Sequence, residues 1–233
     1  MPTACFGRWM REVLCLSIQK GLTLVVACLL LACCSQREAV TSIYEGLERV
    51  ASAERAFETE QEPLVLLEKK EKALYETILS LGLHDTAKRQ ELAIKAEESL
   101  EEREQHLMRE RSGLYEAKKT FAKVLPLFEE IEENSLKGCA VPLTRTMQAR
   151  YGVYEQLYAQ YERALQKDRE LYDLLQSDAI SFRQIQKQIE EINREYEQVL
   201  QLNRLFNNYT EQYNVKKEKF YKSAGLHIKR EQL

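Results

Sequence analysis

The sequence predicts an all-α fold, an elongated up-and-down bundle of four long helices with coiled-coil seams. Three observations predict it. Glycine and proline are scarce, 8 and 4 in 233 residues, so breaks are few and elements long. The chain is 30% charged and 44% hydrophobic, with Glu, Lys, Gln, Leu and Ala dominant. These are strong helix formers, and the balance excludes both an acidic disordered chain and a multi-span membrane protein. Apolar residues recur at alternating spacings of three and four, the mark of helices buried along one seam, and no segment sustains the strict alternation of a strand.

Residues 1–32 read as a signal peptide that is removed. Arg8, Arg11 and Lys20 supply its positive region. Residues 21–32, GLTLVVACLLLA, are an uncharged and almost wholly apolar run of 12. A spanning helix needs about 20 such residues, whereas the apolar core of a signal peptide has this length. Met10 is an alternative start that leaves the same signal. Leu30, Leu31 and Ala32 followed by Cys33 resemble a bacterial lipobox. Its chemistry needs a thiol: the Cys33 sulfur takes a diacylglyceryl group as a thioether, and a signal peptidase with a narrow site, which the small Ala32 fits, cuts before it. A box ending at Cys34 would place Cys33 before the cut, so Cys33 fits better. The competing readings are an ordinary secretory signal with a chance cysteine and an uncleaved anchor. With two acyl chains giving stable attachment, residues 33–37 form a lipidated N-terminus and short linker. The chain is then expected on the outer face of a cell membrane, facing the wall side.

The helices follow in order, within a bundle domain over 38–225 and ahead of a flexible tail over 226–233. The first is expected near 38–81, with Leu64, Leu67, Leu74, Ile78 and Leu81 on its seam. Gly82 stops it, and His84-Asp85-Thr86 just after supplies a new N-cap. The second, near 86–136, carries Leu114, Ala117, Phe121, Val124, Phe128 and Ile131. Asn134 to Pro142 forms the second break. The third, near 143–176, carries Met147, Tyr151, Tyr154, Tyr158, Tyr161, Leu165, Tyr172 and Leu175, interrupted by Asp168. Ser177-Asp178 is a weaker break, with Asp178 the candidate cap. The fourth, near 179–223, carries Phe182, Ile185, Ile189, Ile192, Tyr196, Val199, Phe206, Tyr213 and Phe220, and Ala224-Gly225 ends it. Its seam is wetter toward the C-terminus, at Asn203, Thr210 and Lys217. Pro63 and Pro126 should kink their helices, or Pro63 splits the first into a leader and a longer helix.

The run Glu62-Pro63-Leu64-Val65-Leu66-Leu67-Glu68-Lys69-Lys70-Glu71, with Leu74-Tyr75 and Ile78, resembles the YkyA-like family of lipoproteins of Bacillus-type Gram-positive bacteria. So do Tyr151 to Tyr161, Asp168-x-Glu170-Leu171-Tyr172, and Phe220 to Leu226. The resemblance covers everything after Cys33. It implies a four-helix, spectrin-like bundle on the cell surface and a cell-wall-binding role, and it carries no catalytic residues.

The candidate chemistry is sparse. All 12 tyrosines follow Cys33, and Tyr151, Tyr154, Tyr158 and Tyr161 form one stripe. It is read either as a stacking platform for wall sugars or as a core seam whose hydroxyls reach the rim. His84, His106 and His227 are far apart, and no Glu precedes any of them by three residues, so no di-metal bundle motif exists. No Cys pair has zinc spacing. No metal and no cofactor are therefore expected. The runs Glu97-Glu98, Glu101-Glu102, Glu129-Glu130, Glu132-Glu133 and Glu190-Glu191 read as solvated faces paired with Lys and Arg rather than as a facing catalytic pair, so no enzyme is expected. Cys139 reads as a free thiol near a turn, with pairing to Cys34 or another chain as the alternative. Lys216, Lys217, Lys219, Lys222, Lys229 and Arg230 make the end locally basic, a candidate contact for anionic polymer or lipid head groups. A net charge of −3 without a basic stripe excludes nucleic acid as a partner. Two functions remain: a non-enzymatic surface protein, held by diacylglyceryl-Cys33, that binds peptidoglycan, another wall polymer or a surface partner; and an oligomeric surface scaffold with no glycan ligand, whose wetter seam another chain completes.

Overall fold

A computed structural model describes residues 37–82 and 85–226. The signal, the lipobox with Cys33, Cys34, His84 and His227 lie outside the described residues. Helix α1 covers 37–58. It is followed by α2 (Gln61–Leu81), α3 (Thr86–Glu129), α4 (Asn134–Gln176) and α5 (Phe182–Ser223). No strand occurs among the described residues. At 1.5 Å per residue, the 44 residues of α3 make a rod about 66 Å long.

The helices form four antiparallel arms. The first is α1 followed by α2, lying along α3: the Gly46 backbone abuts Val124 and Gly113 abuts Ala56 and Phe57, while Glu71 of α2 meets Arg103. α3 runs against α4, with Phe121 beside Tyr151 and Arg169 on Glu104. α4 runs against α5, from Gln188 on Lys167 to Lys216 on Thr146. α5 closes the bundle on α1 through Tyr44 and Tyr221 and through Phe57 and Phe206. Residue 37, the α3–α4 turn and residues 223–226 therefore share one end. The α2–α3 and α4–α5 turns make the other.

The first segment is split into a leader and a longer helix, the second of the two outcomes expected of Pro63. Thr59 and Glu60 form a turn, with Glu60 N–H on the Phe57 carbonyl at 3.2 Å. Pro63 becomes the third residue of α2, where a helix N–H has no internal partner anyway, so it starts a helix instead of kinking one. The leader has its own seam of Val40, Ile43, Leu47 and Val50, all buried. The second break is shorter and earlier than expected, over 130–133, and Pro142 lies inside α4. Leu136, Ala140, Leu143 and Met147 form one buried apolar row, and its burial outweighs the one ladder bond that Pro142 removes. Pro126 lies within α3, near its end.

The caps follow local chemistry. The Asp85 side chain accepts from Lys88 N–H at 3.0 Å, within the cap expected over 84–86. The cap of α5 is Ser181 rather than Asp178. Ser181 and Gln184 form a reciprocal capping box, which satisfies two orphan donors where a lone Asp would satisfy one. Phe182, expected on the seam, is thus the first helical residue and 67% exposed. At the far end Gly225, at φ 69°, permits a Schellman closure: Leu226 N–H bonds the Tyr221 carbonyl at 3.0 Å and Gly225 N–H that of Lys222 at 3.1 Å.

Two glycines allow a paired test. A Cβ at Gly113 would meet Phe57 N at 2.7 Å and the Ala56 carbonyl carbon at 2.9 Å, so α1 and α3 touch there backbone to backbone. Gly152, on α4, would meet nothing within 4 Å. Gly113→Ala is expected to lower stability by about 1–3 kcal/mol through overpacking. Gly152→Ala should raise it by about 0.5–1 kcal/mol through helix propensity. Urea melts of the two variants with opposite signs are the expected result.

Candidate functional site

Three polar layers interrupt the core, each from residues that sit in seam phase. The first centres on Arg103 of α3, which is 3% exposed. Its guanidinium reaches Asp168 of α4 at 2.5 Å and Glu71 of α2 at 3.0 Å. Tyr196 of α5 donates to Asp168 at 2.5 Å and Tyr172 to Glu71 at 3.2 Å. The guanidinium also lies 5.8 Å from the centre of the Tyr161 ring, and Tyr161 donates to Glu68. One layer thus ties α2, α3, α4 and α5. Burial pushes the Glu71 carboxyl up to about 7 against the pull of Arg103, and raises Asp168 for the same reason. Two carboxyls crowd one cation in a dry layer, and burial disfavours the charged form of each.

The second layer is Glu110 of α3, 6% exposed. Burial pushes its carboxyl up to about 7, against the smaller opposing pull of the nearby Tyr154 hydroxyl and Gln61 amide. The third is Arg150 of α4, buried, which donates to Glu54 of α1 at 2.5 Å and to Thr210 of α5 at 2.8 Å. The far end is tied by Arg89, whose guanidinium caps the open carbonyls of α4 at Leu175 (2.9 Å) and Ser177 (2.6 Å).

These placements decide several expectations. Tyr151, Tyr154 and Tyr158 are buried and Tyr161 is half-buried. Their rings face other side chains: Phe121 against Tyr151, Phe57 and Phe206 against Tyr154, Arg111 at 4.2 Å from the Tyr158 ring centre. The stripe has the geometry of a core seam, not of an open stacking surface. Asp168 and Thr210 find partners inside the chain and Lys217 is buried within it, while Asn203 is exposed beside Asn207. These interruptions therefore give no reason for a second chain. Lys216 and Lys217 lie against the bundle rather than in a solvated tail, and Lys222 pairs with Glu218 on its own helix.

His106 is not simply solvated. Its Nδ1 lies 2.5 Å from Glu60, which Arg109 also meets at 3.2 Å. Burial alone would raise the Glu60 carboxyl, but these two hydrogen bonds outweigh it and hold it below its ordinary range. Cys139 is a half-buried free thiol within α4, its sulfur 3.6 Å from the Ser223 hydroxyl. Among the described residues no group of three His, Cys, Asp or Glu side chains is placed to hold a metal, and no helix is long and apolar enough to cross a membrane.

Two hollows accompany the layers. One, of about 130 Å³, lies beside Glu110, Tyr154, Tyr158 and Tyr161. A larger one, of about 470 Å³, opens between α1 and α5 beside the Arg150 layer. Neither was legible in the sequence, although Arg150 and Glu54 stand in seam phase on their helices.

Comparison with known proteins agrees with this architecture. A crystal structure of a conserved protein of unknown function from Staphylococcus aureus superposes with a TM-score of 0.70 over 81% of this chain and 95% of that one. At 12% identity, that likeness shows the fold alone. The chain is 32% identical over 202 residues to a Bacillus subtilis protein named uncharacterized lipoprotein YkyA, covering 87% of this chain and 91% of that protein. The model of the YkyA family, described as "Putative cell-wall binding lipoprotein", matches residues 38–223, nearly the whole span that the structure describes. With its bundle, its length and its sequence all in agreement, the chain belongs to the YkyA family.

Proposed function

We propose that this chain is a lipid-anchored, non-enzymatic protein of the outer membrane face, whose bundle binds the cell wall. The observation that carries the anchor is the lipobox of Leu30, Leu31, Ala32 and Cys33, which closes the apolar run of residues 21–32. The described helix is already under way at residue 37, so only a short linker follows Cys33. Attachment there would set the end bearing the α3–α4 turn against the lipid. The opposite turns would then stand about 60 Å out, the length of the helices. The family description supports the wall as the partner, and two acyl chains suffice to hold such a rod.

The anchor is tested by intact mass of the protein taken from membranes of a Gram-positive host. The wild type is expected to lack residues 1–32 and to carry a diacylglyceryl mass, and Cys33→Ala to lack that mass and to leave the membrane fraction. An unlipidated wild type would refute the anchor. Wall binding is tested by co-sedimentation with purified sacculi, where protein left wholly in the supernatant would refute it.

A further inference from the structure

We propose that the cavity between α1 and α5 is a binding site for a small ligand that presents a carboxylate on an amide-bearing body, with Lys217 as its counter-ion. The proposal rests on the wall-binding reading for the choice of probes, but the site itself rests on geometry.

Lys217 is 5% exposed and lines the cavity. Its ammonium lies 6.0 Å from the centre of the Tyr213 ring, and no hydrogen-bond acceptor or carboxylate among the described residues is paired with it. The other charged groups of the cavity are largely engaged. Arg150 holds Glu54 and Thr210, and Glu48 accepts from Tyr221 at 2.9 Å. Arg55 and Glu58 are exposed at the rim. An ammonium on a largely buried side chain, facing a cavity and without an anion, attracts an anion that enters more strongly than a fully exposed one would, because the surrounding dielectric is lower. It is thus poised for one more oxygen anion.

The rest of the lining fits a body attached to that anion. Phe57, Phe206 and Tyr213 offer apolar ring surface, and the exposed Asn207 and Asn214 offer amide donors and acceptors. A volume near 470 Å³ lies within the range of small-molecule sites. An isolated phosphate would leave the rings unused, and a purely apolar ligand would leave Lys217 unpaired. A carboxylate next to amide groups uses both. A peptide C-terminus and an acidic N-acetyl sugar share that chemistry.

The test is calorimetric titration of the full lipoprotein in detergent with N-acetyl-D-alanyl-D-alanine, with its C-terminal amide, and with N-acetylmuramic acid. Binding of the free acid that weakens at least tenfold for the amide and for Lys217→Met supports the site with a peptide as source. Binding of the sugar acid with the same loss in Lys217→Met supports it with a sugar as source. Lys217→Met keeps the length of the side chain and removes a buried charge, so it should melt no lower than the wild type. The amide comparison needs no variant at all. Failure of both acids to bind, or equal binding by wild type and Lys217→Met, overturns the proposal. Sacculi that still pull down a protein blind to both acids would leave the wall reading standing and only this site refuted. Acids that bind a protein which sacculi do not retain would do the reverse.

Discussion

Arg103→Ala is expected to destabilise the bundle by about 3–5 kcal/mol, the cost of removing one partner from a buried ion pair. The reason lies in what stays behind. Glu71 and Asp168 both point at the guanidinium, and each would be left in a dry layer with one tyrosine hydroxyl for company. Both would have to take a proton or open the layer to water. Four helices meet there, so local opening would separate α2 and α5 from the α3–α4 pair. The cost should be much smaller when all three groups are replaced together by apolar side chains of similar size, as in Arg103→Met with Glu71→Met and Asp168→Leu, since swapping a whole buried ionic group for well-packed apolar ones is often neutral or stabilising. Urea unfolding of wild type, single and triple variants checks this. A single variant as stable as the wild type would mean that water already reaches the layer.

Glu110→Gln is expected to stabilise the protein at alkaline pH and to do little near pH 4.5. Glu110 in the folded chain sits at about 7, against 4.5 for a free Glu, chiefly through burial. Between those two values the folded state keeps a proton that the unfolded state has released, so stability falls as pH rises and the full loss is reached above about 7. At 1.36 kcal/mol for each unit, that loss is on the order of 3 kcal/mol. Glu71, raised to about the same value, adds to it in the same direction. The wild type should therefore be more stable at pH 5 than at pH 8.5, and Glu110→Gln should recover about 2–3 kcal/mol at pH 8.5 only. Parallel pH profiles for the two proteins would show that Glu110 is solvated.

The arms and most of their seams were readable because a spacing of three and four needs only apolar residues at regular intervals. The expected row Leu114, Ala117, Phe121, Val124, Phe128 and Ile131 on the second predicted helix is buried throughout. What escaped was the meaning of polar residues in the same phase. Arg103 and Glu110 continue the row of Leu100, Leu107 and Leu114, and Glu71 continues that of Leu64, Leu67 and Ile78. Counting phase without regard to polarity would have marked them as core. Asp168, Asn203, Thr210 and Lys217 stood out as interruptions, but which of them pair, and with what, could not be inferred, since pairing depends on the axial stagger of the arms. The break at 59–60 was one of the two alternatives that Pro63 offered, while the second break was placed too late, at 134–142 instead of 130–133. Pro63 and Pro142 are strong local signals, yet a proline in the first turn of a helix costs nothing, and one deeper in can be outweighed by burial of Leu136 and Leu143. The cavity between α1 and α5 depends on how two distant segments splay, which no local pattern encodes.

The chain enters and leaves the described bundle at the same end. Mechanical load therefore acts on it in two different ways. Tension between residue 37 and residue 226 pulls neighbouring arms apart from one end, and the layers give way one at a time, as in a zipper. Tension between residue 37 and the turns at the far end runs along the helices, and every layer between two arms must slip together. Forced rupture is governed by the unfolding barrier rather than by equilibrium stability. A rod of this topology is accordingly stiff toward a pull on its far tip and compliant toward a pull on its C-terminus.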